Sequence, residues 1–171
     1  MKLDDKKRTF IAQGSEKGFG VPYAYGINDE VLNEKTNFIQ VVSCNTHNIA
    51  CIIRTLSPST NDIISSDFTC IRRANDISQE GSFIASPYVG KHNDSQFGTH
   101  HARDVYDLFR TRNEFINIYS SALKVNSQYM HVVRFNMEVK GFLSKERVLQ
   151  RLKENKFVSL TEKQLANKVF S

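Results

Sequence analysis

No tryptophan, only three prolines and only three cysteines occur in this chain of 171 residues. Cys44, Cys51 and Cys70 are an odd set without C-x-x-C spacing, which argues against a disulfide framework and against a zinc or other metal site. Reduced thiols in a reducing, cytoplasmic compartment are expected instead. No run of about 18 apolar residues is present, so no membrane association is expected, and the charged start "MKLDDKKRTF" lacks the apolar stretch of a signal peptide. Glycine is also sparse, and G-x-G-x-x-G between a strand and a helix is found nowhere. Gly14, Gly18 and Gly20 fall in an irregular loop, "GSEKGFGVPYAYG", so the sequence offers no nucleotide-binding βαβ unit.

What remains is an ordinary globular composition, 40% hydrophobic and 24% charged, of a length suited to a single domain over 1–171. The net charge of +5 suits an anionic partner. Lysines and arginines are scattered rather than blocked and no RNA-binding aromatic motif accompanies them, which favours phosphorylated small molecules over nucleic acid.

"RTFIAQ" reads as a short strand and "NFIQVVS" as a second, with its strand over Phe38–Val42. In "NTHNIACIIRTL", Ile49, Ile52, Ile53 and Leu56 recur at helical spacing, predicting a helix over Asn45–Leu56. Strands are expected at Phe68–Arg73, in "SFIASPYVG", at Phe115–Ser120 and, most clearly, at Tyr129–Val139, where His131 shares the apolar face with Val133, Phe135, Met137 and Val139. "HARDVYDLFR" predicts a short helix through Val105, Leu108 and Phe109. Ser144 is positioned to cap a helix over Lys145–Glu154 whose stripe is Val148, Leu149 and Leu152. "FVSL" and "TEKQLANKVF" read as a last strand and helix, with Thr161 as the cap. The expected class is α+β, a mostly antiparallel sheet with helices packed on one face.

Cys44 stands where "FIQVVS" turns into the helix. A thiol in a helix's first turn meets unpaired N–H groups and the positive end of the helix dipole, which favour thiolate and can hold an oxyanion. Cys51 and Cys70, on an apolar stripe and in a strand, read as small buried hydrophobes. Of five histidines, His131 is the best candidate for general base or ion-pair partner, since a strand face holds it in place. Arg72 and Arg73 at a strand end, and His100 and His101 before a helix, supply donors suited to phosphate. Neighbouring strand residues face opposite ways, so a regular strand would send only one of the two arginines to a given site.

These pieces, "IAQGSEK", "VVSCNT", "RTL", "IRRAND", "THHARDV" and "YMH" followed by a strand ending in "MEV", stand in one order across most of the chain. Together they resemble the catalytic half of the archaeal-type glyceraldehyde-3-phosphate dehydrogenases. The resemblance implies a dehydrogenase catalytic-domain-like fold, Cys44 as nucleophile and His131 as catalytic histidine. It further implies that Asn45, Thr46, Arg72, Arg73, His100 and His101 bind a phosphorylated aldehyde. The implied chemistry is addition of the thiolate to the aldehyde, hydride loss to a nicotinamide, and cleavage of the thioester by phosphate.

Some residues depart from the family pattern: "CNTH" carries His47 in place of a small hydroxyl residue, "RRANDI" differs after the arginines, and Ala102 and Arg103 replace a glycine and a proline. The family's Rossmann half is missing, and so is its carboxy-terminal segment. NAD or NADP is therefore expected only with a partner chain of Rossmann type, in an oligomer. The alternatives are a non-catalytic scaffold homologue and a stand-alone Cys-His enzyme of acyl transfer.

Overall fold

The computed structural model describes residues 8–14, 16–75 and 81–169. The charged first residues, Ser15 of the glycine loop, and Asp76 and Ile77 behind the double arginine lie outside them.

Strands β1 (Phe10–Gln13), β2 (Val21–Tyr23) and β3 (Phe38–Val41) form a parallel sheet in the order β1-β3-β2. A second sheet has the order β5-β6-β4-β7, made by β4 (Ile63–Arg73), β5 (Tyr88–Val89), β6 (Ile118–Val125) and β7 (Val132–Val139). Helices α1 (Cys44–Leu56) and α2 (His100–Arg110) pack into the core, while α3 (Lys145–Glu154) and α4 (Ala166–Val169) bury no residue.

The class is α+β as the sequence predicts, but the pairing is mixed. β7 and β5 run antiparallel to β4 and β6, whereas β4 and β6 are parallel to each other. A strand that returns to its sheet through a crossover helix, here α2, runs in the same direction as its predecessor. The Phe38 strand, expected in the same sheet as the others, belongs instead to the parallel sheet with the two strands that precede it.

Alternation along β4 places Ser66, Phe68 and Cys70 in the interior. Register sets them beside Ile118, Ser120 and Ala122 of β6, and beside Met137, Phe135 and Val133 of β7. Phe68 and Phe135 stack at 5.7 Å, and Val133, Met137 and Val139 pack on the core, so β7 presents the face that its period predicts. On α1, Ile49, Ile53 and Leu56 are buried as the stripe predicts; on α2, Val105, Leu108 and Phe109 are.

Five expectations need correction. The strand expected over Tyr129–Val139 starts at Val132, so Tyr129, Met130 and His131 precede it, and the Arg73 N–H, not a strand face, meets the His131 ring. The strand expected from Phe115 starts at Ile118, because Asn117 uses its groups sideways: its Nδ2 donates to the Ile64 carbonyl and its own carbonyl accepts from Ser66 Oγ. Of "SFIASPYVG" only Tyr88–Val89 pairs. "FVSL" forms no strand, and Thr161 Oγ1 accepts from the Lys163 N–H in a local turn, so the last helix shrinks to Ala166–Val169. α3 has its predicted bounds and its Ser144 cap, but it docks on α1 rather than on the sheet. Arg151 reaches the Leu56 carbonyl and Asn155 Nδ2 donates to Thr55 Oγ1 at 2.6 Å, leaving Leu149 exposed.

Candidate functional site

Cys44 is the first residue of α1 and is exposed. Ser43, the residue before it, is extended, and its hydroxyl pairs with Thr46 Oγ1 at 2.9 Å rather than with a backbone amide. No side chain therefore caps the first turn of α1, and its amides remain available around the thiol. Asn45 and Thr46 are buried, and Asn45 Oδ1 has no hydrogen-bond partner among the described residues. His47, three residues after Cys44, turns its Nε2 to the Tyr25 carbonyl at 3.1 Å.

α2 begins at His100, and its first turn is held from outside the helix. Ser120 Oγ on β6 accepts the Ala102 N–H at 3.0 Å and lies 2.7 Å from Thr99 Oγ1. Gly98 makes this approach possible: its φ is +73°, and a Cβ there would come within 2.3 Å of the Ser120 carbonyl oxygen. Replacing Ser120 by alanine strands both partners in a buried place. Ser120→Ala should therefore cost about 2 kcal/mol, read as a lowered urea midpoint with unchanged slope.

Arg72 and Arg73 part company at the end of β4. Arg72 continues the face of Phe68 and Cys70, whereas Arg73 lies on the opposite face, where its Nη1 reaches Met130 Sδ. Arg73 bears on the site through its backbone, because its N–H donates to His131 Nδ1 at 3.2 Å. With Nδ1 accepting, a neutral His131 ring carries its proton on Nε2, as a donor.

Charges tie these groups together. Burial pushes the Cys70 thiol up to about 11, against the pull of Arg72 and with a further push from Cys44. His100 lies at the surface, and its pKa is lowered by partial burial and by Arg72. His101 is 1% exposed and falls to about 3, first through burial and then through His100, Arg72 and His131. The His100 and His101 rings stand 3.9 Å apart, and neither His101 nitrogen has a hydrogen-bond partner among the described residues. His101 is thus a neutral donor or acceptor, not the cation that a double histidine suggests. Arg72 is the shared neighbour of Cys70, His100 and His101, and its Nε is buried without a partner among the described residues.

A cavity of about 370 Å³ opens beside His100, lined in part by Lys17, Lys91, Thr99, Arg103 and Asp104. Arg103 pairs there with Asp94, and Lys17 with Asp107 at 3.2 Å. Sequence reading missed Lys17, Lys91 and Ser120, while Cys70 is the buried hydrophobe it expected. Only spatial proximity connects them, and no spacing in the chain signals it. No protein-family model matches the chain, and no curated protein is significantly similar to it.

Proposed function

We propose that this chain is the thiol-bearing part of a phosphorylating aldehyde dehydrogenase, acting on a phosphorylated aldehyde beside a partner chain that brings NAD or NADP. The observation that carries this reading is Cys44, an exposed thiol at the first position of a helix whose opening amides no side chain caps. The sulfur, as thiolate, adds to the aldehyde carbon, and the carbonyl electron pair moves onto oxygen. That oxygen is stabilised by the first-turn amides of α1 and by a hydrogen bond from the Nε2–H of His131. Arg72 and the lysines of the neighbouring cavity supply the positive charge that a phosphate ester needs, and His100 a neutral ring beside them.

The chain's own residues do not fit a dinucleotide. Its strand-to-helix turn at Val42-Ser43-Cys44 has no glycine where a pyrophosphate would require bare backbone. The hydride acceptor accordingly belongs to the partner.

Calorimetric titration of the isolated chain with NAD and with NADP should give no binding heat. Native mass spectrometry of the complex from its source cell should find a nicotinamide-binding chain attached. Clear cofactor binding by the isolated chain would remove the reason for a partner.

A further inference from the structure

Ser120 on β6 is fully buried and holds the start of α2 from the sheet side. Its N–H donates to the Phe97 carbonyl at 3.0 Å, and its Oγ accepts the Ala102 N–H at 3.0 Å and pairs with Thr99 Oγ1 at 2.7 Å. Thr99 is the residue before α2 and has the extended backbone from which a threonine ordinarily bonds the amide three residues on, here that of Ala102. Thr99 makes no such bond, because Ser120 makes it instead and the Thr99 hydroxyl turns to the sheet.

The consequence lies at the open side of the helix end. With Ala102 satisfied from the sheet, no side chain of the helix start bonds across the opening turn, and the N–H groups of His100 and His101 have no acceptor among the described residues. Bare amides in this position hold anions. Gly98, Thr99 and His100 line the cavity beside them. A second observation in the same turn points to a ligand: His101 is 1% exposed, and both its ring nitrogens lack a partner among the described residues. The cavity's side-chain charges are closely matched, Arg103 by Asp94, Lys17 by Asp107, and Lys91 in number by Asp104. The amides therefore decide how well it holds an anion.

We infer that Ser120 is a positioning residue: by taking over the capping of α2 it leaves the first two amides of that helix to the phosphate of the substrate. The proposed aldehyde chemistry supplies the substrate on which this inference rests, and the start of α2 supplies the mechanism. Without the Ser120 hydroxyl, the Ala102 N–H recruits Thr99, whose oxygen moves over the opening turn and competes with the phosphate.

Amide NMR of the full chain titrated with inorganic phosphate tests this without the aldehyde. In wild type the His100 and His101 amides should shift and saturate. Ser120→Ala should weaken that binding about tenfold. Ser120→Cys keeps the shape but offers sulfur, a weak acceptor; it should do the same and carries the test should the alanine variant misfold. Adding Thr99→Val to Ser120→Ala removes the competing hydroxyl, so the double variant should regain most of the affinity although its urea midpoint falls further. A serine that only stabilises the fold would give the opposite, an affinity that drops with each loss of stability. No phosphate-dependent shift in wild type, an unchanged affinity in folded Ser120→Ala or Ser120→Cys, or a double variant that binds more weakly than the single one overturns the inference. With aldehydes, Ser120→Ala should lower the preference of Cys44 for phosphorylated over plain glyceraldehyde about threefold or more. Phosphate binding at the α2 amides that follows this order, with no aldehyde adduct on Cys44, would uphold the role of Ser120 and fault the dehydrogenase reading instead.

Discussion

Iodoacetamide should alkylate Cys44 of the native protein about a hundredfold faster than Cys70, with Cys51 between them. The order follows from access and from ionisation. Cys44 is exposed, Cys51 is half-buried with Asn155 Nδ2 at 3.6 Å from its sulfur, and Cys70 is fully buried with its thiol pushed up to about 11. At neutral pH almost none of Cys70 is thiolate, and an alkylating agent meets what there is only through an opening of the fold. Peptide mapping after timed quenching would read the three rates separately. In Cys44→Ser the fast phase should vanish while the other two rates hold. Faster labelling of Cys51 or Cys70 in the folded wild type would mean that the nucleophile is misassigned.

A second large effect concerns acid. His101 titrates near 3 in the folded protein against an ordinary 6.5, so the unfolded chain takes up a proton through 6.5 that the folded chain refuses until about 3. The stabilisation from keeping His101 neutral is complete above the unfolded value and is lost as pH falls from about 6.5 towards 3, amounting to roughly 3 kcal/mol between pH 7 and pH 4. The groups acting on it are His100, Arg72 and His131. Asp104 works in the opposite sense. Its carboxyl is raised to about 6, chiefly by burial, so the folded state gains stability as pH falls from 6 to the ordinary value of 3.8, less strongly because the side chain is only partly buried. Comparing wild type with His101→Leu cancels the Asp104 contribution. The stability difference between the two, from urea unfolding at each pH, should shift by about 3 kcal/mol in favour of the leucine variant from pH 7 to pH 4. A difference independent of pH would show that His101 protonates in the folded protein.

Local elements with strong periodicity were legible in the sequence because local chemistry determines them. α3 has its predicted ends because Ser144 caps it, and the apolar face of β7 follows from strict alternation. Cys44 could be placed at a helix start for the same reason. Sheet order was not legible, because it depends on which strands a crossover returns to. The parallel pairing of β4 with β6 needs α2 to lie across the sheet, and no single segment encodes that. The state of His101 was hidden as well. Two adjacent histidines before a helix look like a pair of cations, but the first stays near solvent and the second is driven into the core, where charge is excluded. Ser120 gave no signal at all, since it caps a helix about twenty residues earlier in the chain by way of the neighbouring strand.

The central claim, that Cys44 is a nucleophile toward a phosphorylated aldehyde, is tested most directly by carbon-13 NMR of the chain with glyceraldehyde 3-phosphate labelled at the aldehyde carbon. A thiohemiacetal resonance should appear with wild type, vanish in Cys44→Ser, and weaken by about tenfold or more when Arg72 is replaced by alanine or when unphosphorylated glyceraldehyde is supplied. A thiohemiacetal of equal intensity in wild type and Cys44→Ser, or none with any aldehyde, would contradict it.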